Sequence, residues 1–79
     1  SMHESVATNI DRALTKLNNK EAEVLIMTFG LRGRPVYTLH DIASKFDMST
    51  ERIRQIKFNG LQKLKKLLEG KYTFLELNS

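Results

Sequence analysis

Apolar residues recur at intervals of three and four along most of the chain, which is the spacing of a helix with one buried face. The first set predicts a helix over about residues 5–17 and consists of Val6, Ile10, Leu14 and Leu17. A second helix is predicted over residues 19–29, whose second half is nearly all apolar and is therefore expected in the core. Asn18 and Glu21 have the spacing of an N-terminal cap for it, and Gly30 suits the position after its last turn.

Two further helices are predicted in the second half. Residues 30–37 hold two of the four glycines and the only proline, which indicates a connection. Thr38 is a suitable N-cap for a third helix over residues 39–46. Core spacing also places four large side chains inside: Met27, Phe29, Phe46 and Met48.

The fourth helix is predicted over about residues 50–68, with Ser49 as its cap and Gly70 just past its end. Its expected buried stripe is Ile53, Ile56, Gly60, Leu61, Leu64, Leu67 and Leu68. Residues 70–79 then form an apolar C-terminal tail. The chain, residues 1–79, is therefore predicted to be a single all-α domain of four helices, in which a short helix, a tight break and a longer helix have the outline of a helix-turn-helix.

Basic charge is concentrated on the fourth helix. The chain carries 13 Lys and Arg against nine Asp and Glu, a net charge of +4. Residues 50–71 hold seven basic and two acidic residues, whereas residues 1–49 hold six of each. Such a concentration is expected where one element faces a polyanion.

The first turns of this helix carry groups suited to reading base pairs. If Ile53 and Ile56 face the core, a turn of about 100° per residue places Glu51, Arg54 and Gln55 on the outer side. Arginine can fork to guanine, glutamine can fork to adenine, and glutamate can accept from the amino group of cytosine. The alternative is that these side chains are solvated and that Glu51 pairs with Arg54 or Gln55 along the helix.

Contacts to phosphate are expected at the start of the third helix, where Leu39 and His40 offer backbone N–H groups and the positive end of the helix dipole. Arg32 and Arg34 in the connection are further candidates, with simple solvation as the alternative. The lysines of the fourth helix either contact phosphate or only keep the helix soluble, and they are Lys57, Lys63, Lys65 and Lys66.

Other classes of function find no support in the sequence. No nucleophile with its base, carboxylate cluster or phosphate-binding loop is present, so we expect neither an enzyme nor a catalytic residue. Because the chain has no cysteine and His3 lies far from His40, we expect no metal site and no cofactor. No apolar run approaches the roughly 20 residues that span a bilayer, so we expect no membrane contact and an intracellular, soluble protein.

Residues 17–67, "LNNKEAEVLIMTFGLRGRPVYTLHDIASKFDMSTERIRQIKFNGLQKLKKL", resemble region 4, the C-terminal DNA-binding region of the primary-type sigma factors (sigma-70 family) of bacterial RNA polymerase. The marks are "KEAEVLIMTFGL", a five-residue connection to "YTLHDIA", and "ERIRQI". The resemblance implies a four-helix domain whose last helix reads the minus-35 hexamer in double-stranded promoter DNA. It also implies docking on the flap of the polymerase beta subunit through an apolar surface formed largely by the first helices.

Carried over by position, Glu51, Arg54 and Gln55 match the base-reading residues of that family. The places that meet the DNA backbone correspond to Leu39, His40 and Arg52, to which we add Lys57. Activators or an anti-sigma factor are further partners that the resemblance implies. The protein is then expected to act on the nucleoid in the bacterial cytoplasm, and the isolated domain is expected to be a monomer.

Three positions depart from the family pattern. Thr50 stands where the usual motif has arginine, and it offers only a hydroxyl or a methyl group to a base. Phe58 is bulky on an outer face, and Gly60 weakens the helix, so either position is a candidate for close approach by another chain. Thr50 and Phe58 favour an alternative, a protein-interaction module of the same fold whose DNA surface is weakened or altered, whereas the intact Glu51, Arg54 and Gln55 favour DNA binding.

Overall fold

Four α-helices form the computed structural model, which describes the backbone of residues 6–78 and the side chains of residues 8–69. The helices are α1 (Val6–Leu14), α2 (Asn19–Phe29), α3 (Leu39–Phe46) and α4 (Thr50–Asn78). A short 3-10 turn, Leu31–Gly33, lies between α2 and α3. The described backbone contains no strand, and the predicted all-α fold is confirmed.

The helices α2 and α3 begin and end at the predicted residues because their caps form. Glu21 N–H donates to Asn18 Oδ1 at 2.8 Å, and Asn18 N–H donates to Glu21 Oε1 at 3.4 Å. Gly30 then ends α2 in the left-handed conformation, at φ 65°. At α3, Thr38 Oγ1 accepts from Asp41 N–H at 3.1 Å. Local sequence therefore determines the residues at which these two helices begin and end.

Two groups of buried side chains meet along α4. The first joins α2, α3 and the start of α4, and contains Val24, Met27, Ile42, Ala43, Ile53 and Ile56. The second joins α1 and α2, with Leu61 and Leu64 of α4 packed against it, and contains Leu14, Leu17, Leu25 and Ile26. Because α2 contributes to both groups, its predicted central position is confirmed.

The outer two helices differ in length from the prediction. After Leu14 the chain continues as a tighter turn, in which three successive N–H groups each donate to the carbonyl oxygen three residues earlier. The last of these bonds runs from Leu17 N–H to the Leu14 carbonyl oxygen, at 3.1 Å. At the other end α4 continues through Gly70 to Asn78, because a glycine weakens a helix by about 1 kcal/mol without ending it when no proline follows. The expected apolar surface of the tail lies outside the described side chains, as does His3.

Two residues expected in the core are exposed instead. Phe29 is 49% exposed, because it lies about 200° around α2 from the buried Met27. Leu67 is 39% exposed, because Leu68, four residues after Leu64, continues the stripe and Leu67 points away from it. Both predictions of burial were wrong.

Gly60 lies where α4 crosses α2. A Cβ atom at this position would stand 3.2 Å from Leu25 Cδ1 and 3.5 Å from Glu21 Cβ. The close approach that Gly60 permits is therefore that of α2 in the same molecule, and the expectation that it marks contact with another chain is corrected.

Candidate nucleic-acid interface

The break between α3 and α4 spans Asp47, Met48 and Ser49. Asp47 ends α3 in the left-handed conformation, at φ 54° and ψ 49°, and its N–H donates to the carbonyl oxygens of Ala43 and Ser44. Met48 N–H also donates to Ala43 carbonyl oxygen, at 2.9 Å. Ser49 Oγ then accepts from Arg52 N–H at 3.0 Å and begins α4. This short turn, with Ile42 and Ile53 packed in the core behind it, fixes α4 relative to α3.

The first two turns of α4 present five polar side chains to solvent. Ile53 and Ile56 are buried, at 0% and 5% exposure. The exposed residues on the remaining sides are Thr50, Glu51, Arg52, Arg54 and Gln55. The structure therefore brings together the side chains that the sequence indicated as base readers, at the end of α4 that follows the turn.

Glu51 and Arg54 form an ion pair in the free protein. Arg54 Nη2 donates to Glu51 Oε2 at 2.6 Å and to Oε1 at 2.8 Å, and Nε donates to Oε1 at 3.1 Å. Its hydrogen bonds to Glu51, and then the charge of that carboxylate, raise the pKa of the Arg54 guanidinium. Nη1 takes no part in the pair. The guanidinium is thus held by one edge in an exposed position.

The start of α3 has two backbone donors at its open end. Thr38 uses its hydroxyl and carbonyl oxygens to accept from Asp41 N–H and Ile42 N–H. Among the described residues, the N–H groups of Leu39 and His40 have no such partner, and the His40 side chain is exposed. An anion is favoured at this position by both the free donors and the helix dipole.

Several basic side chains contact the protein itself. Lys63 Nζ donates to Glu21 Oε2 at 2.9 Å and to Oε1 at 3.1 Å, although the sequence left it open as a phosphate contact. Arg32 pairs with Asp11 of α1. Lys57 Nζ lies 5.7 Å from the centre of the Phe29 ring. Lys63 and Arg32 thus join elements of the fold, a role that sequence spacing did not indicate because both partners are distant along the chain.

Metal and membrane sites are not found in the part of the chain that the structure describes. No three His, Cys, Asp or Glu side chains there come together as ligands for a metal ion. None of the helices over residues 6–78 is long and apolar enough to cross a membrane.

Comparison with known proteins identifies relatives of this chain. The family described as "Sigma-70, region 4" matches residues 13–66, well over half of the sequence. The RNA polymerase sigma-C factor of Nostoc sp. strain PCC 7120 is 39% identical over 64 residues, which cover 81% of this chain. The match spans only 15% of that relative's length. No solved structure matches the chain.

Proposed function

The chain belongs to the sigma-70 region 4 family, and we propose that it recognises the minus-35 element of promoter DNA as the C-terminal domain of a bacterial RNA polymerase sigma factor. Region 4 is a DNA-binding domain without enzymatic activity. The observation that carries the proposal is the exposed set Glu51, Arg54 and Gln55, which lies on the first turns of α4 directly after a capped turn. These are the turns that meet base edges when such a helix enters the major groove.

Each side chain of this set has a chemical partner on a base edge. Arg54 donates to the O6 and N7 atoms of guanine, and Gln55 pairs with the N6 and N7 atoms of adenine. Glu51 accepts from the amino group of cytosine. Thr50, exposed at the start of the helix, contributes a hydroxyl or methyl contact in place of the arginine usual at this position.

Contacts to the DNA backbone hold this helix in register. The N–H groups of Leu39 and His40 bind one phosphate at the start of α3, and the exposed Arg52 binds a second. Lys57 completes the set after leaving the Phe29 ring, a weak contact that costs little to give up. Because few phosphates are neutralised, the affinity of the isolated domain is low, and its salt dependence is limited to about −0.9 in log–log slope for each phosphate contacted.

Docking on the flap of the polymerase beta subunit is the second part of the proposed function. Phe29 at the end of α2 is half exposed, and Val36 in the following connection is 71% exposed. Exposed apolar side chains on the first half of the domain suit an apolar partner surface. On this proposal the domain acts in the bacterial cytoplasm as part of a primary-type sigma factor, an assignment that the motif "ERIRQI" supports.

A protein-interaction module with a weakened DNA surface is the second candidate. Two observations favour it: Thr50 replaces an arginine, and the Glu51 carboxylate neutralises Arg54 in the free protein. Activators or an anti-sigma factor would then be partners in addition to the flap. This candidate differs from the first in predicting flap binding without sequence-specific DNA binding.

Fluorescence anisotropy separates the two candidates. The 79-residue chain is titrated into a labelled duplex that carries a minus-35 element and into a scrambled duplex of equal length and composition, at several salt concentrations. We expect tighter binding to the minus-35 duplex, and further tightening when the flap fragment is added. Binding to the flap fragment with equal affinity for both duplexes would support the protein-interaction module instead.

A further inference from the structure

Phe58 lies on the same face of α4 as the base-reading side chains. It follows Glu51 by seven residues and Arg54 by four, so it lies within about 60° of Glu51, Arg54 and Gln55 around the helix axis. A shallow groove on the surface of α4 is lined by these residues together with Lys57, Asn59 and Leu61. The polar reading face therefore continues into an apolar ring.

The Phe58 ring has no structural role within the described part of the molecule. It is 60% exposed, and it belongs to neither group of core side chains. The neighbouring Lys57, about 100° away around the helix, turns its ammonium group to the Phe29 ring of α2. Phe58 is therefore left facing outward, on the base-reading side of α4, where its ring is accessible to a ligand.

The position of Phe58 along α4 suits a contact in the major groove. It lies one helical turn, or about 6 Å, beyond Arg54, which corresponds to roughly two base-pair steps. The apolar group that base pairs present in this groove is the 5-methyl group of thymine, and phenylalanine is among the side chains that contact it. A polar base edge or a phosphate placed against the ring would instead lose its hydrogen bonds to water without gaining another.

We infer that Phe58 contacts thymine 5-methyl groups in the major groove, and that it makes the affinity of this domain depend on thymine about two base pairs from the one that Arg54 reads. The inference rests on the proposed function, because it requires α4 to lie in the major groove. It assigns to Phe58 a part of the specificity that the polar side chains do not supply.

Replacing thymine by deoxyuridine tests this contact, because the substitution removes only the methyl group and keeps the base pair. Anisotropy titrations compare a minus-35 duplex with the same duplex carrying deoxyuridine at every thymine. For the unmodified chain we expect the affinity to fall about fourfold per contacted methyl, the factor that corresponds to exposing one buried apolar carbon. In Phe58→Ala the loss of affinity on deoxyuridine replacement should be smaller by that factor, and both duplexes should bind more weakly than thymine DNA binds to the unmodified chain.

Leu67→Ala is the matched control. Leu67 is also an exposed apolar residue of α4, but it lies about 180° from Phe58 around the helix. This variant should keep the full sensitivity to deoxyuridine.

Two results would overturn the inference. One is an unmodified chain that binds both duplexes equally. The other is a Phe58→Ala variant that remains as sensitive to deoxyuridine as the unmodified chain. That result would assign the methyl contact to another side chain, such as Thr50, and would leave Phe58 for contact with a protein partner. Equal affinity for the minus-35 and scrambled thymine duplexes is a separate outcome, and it refutes the proposed function.

Discussion

Glu21 and Lys63 form an ion pair across 42 positions of sequence, with Lys63 Nζ 2.9 Å from Glu21 Oε2. The Glu21 side chain is only 8% exposed, and its other oxygen accepts from the cap residue Asn18. One carboxylate therefore completes the start of α2 and fastens α4 to it. Lys63 therefore serves the fold.

Lys63→Met should destabilise the domain, because it leaves the buried carboxylate of Glu21 without its cation. Lys63 is half exposed, so we expect a loss of about 1 kcal/mol in the free energy of unfolding, well below that of a fully buried pair. Urea denaturation followed by circular dichroism measures it. Lys66→Met, at an exposed position of the same helix, is the control and should match the unmodified chain. Equal midpoints for the two variants would contradict the role of the pair.

Gly60→Val should be strongly destabilising, because a side chain at this position enters the contact between α4 and α2. Leu25 is fully buried and has little room to move away from the added atoms. We expect a loss of about 2 kcal/mol or more in the free energy of unfolding, from overpacking against Leu25. Asn59→Val places the same side chain on the exposed neighbouring position and should cost less than about 0.5 kcal/mol. Thermal unfolding of the two variants would contradict the packing argument if their midpoints agreed.

Asp47 is suited to replacement by glycine, because it ends α3 with a positive φ that alanine adopts only with strain. Asp47→Gly should therefore be more stable than Asp47→Ala by about 1 kcal/mol. Chemical denaturation of the two variants side by side gives this difference directly. An alanine variant as stable as the glycine variant would show that the turn relaxes to another backbone conformation.

Glu51→Gln should change how the domain binds DNA without changing its stability. The variant frees the Arg54 guanidinium and removes a negative charge from the DNA-facing side. Affinity for a scrambled duplex should rise about twofold to fivefold, whereas the preference for the minus-35 duplex should fall, because the carboxylate that accepts from cytosine is lost. Anisotropy at fixed salt measures both values, and urea midpoints should coincide. An unchanged affinity for scrambled DNA would show that the ion pair does not restrain Arg54.

The helices and the candidate reading face were predictable from sequence because their determinants are local. Asn18, Thr38 and Ser49 cap helices within three residues of themselves, and Ile53 with Ile56 fixes which side of α4 faces outward. The Glu51–Arg54 pair was also predictable, because Glu51 is spaced to pair with either Arg54 or Gln55 along a helix.

What the sequence did not predict depends on contacts between distant segments. The pairing of Lys63 with Glu21 and the packing of Gly60 against Leu25 arise only when α4 lies across α2. The exposure of Phe29 has the same origin, because apolar spacing alone does not show which side of α2 its partner helices cover. Tertiary packing, rather than local propensity, decides whether these residues are paired, buried or exposed.

The central claim, that the exposed start of α4 reads bases, is tested most directly by the ratio of affinities for minus-35 and scrambled duplexes in Arg54→Ala. Lys66→Ala removes the same charge from an exposed position of α4 and serves as the matched control. We expect Arg54→Ala to lower the ratio by about tenfold, as for loss of one bidentate base contact, and Lys66→Ala to leave the ratio unchanged. An Arg54→Ala variant that keeps the ratio of the unmodified chain would contradict the claim.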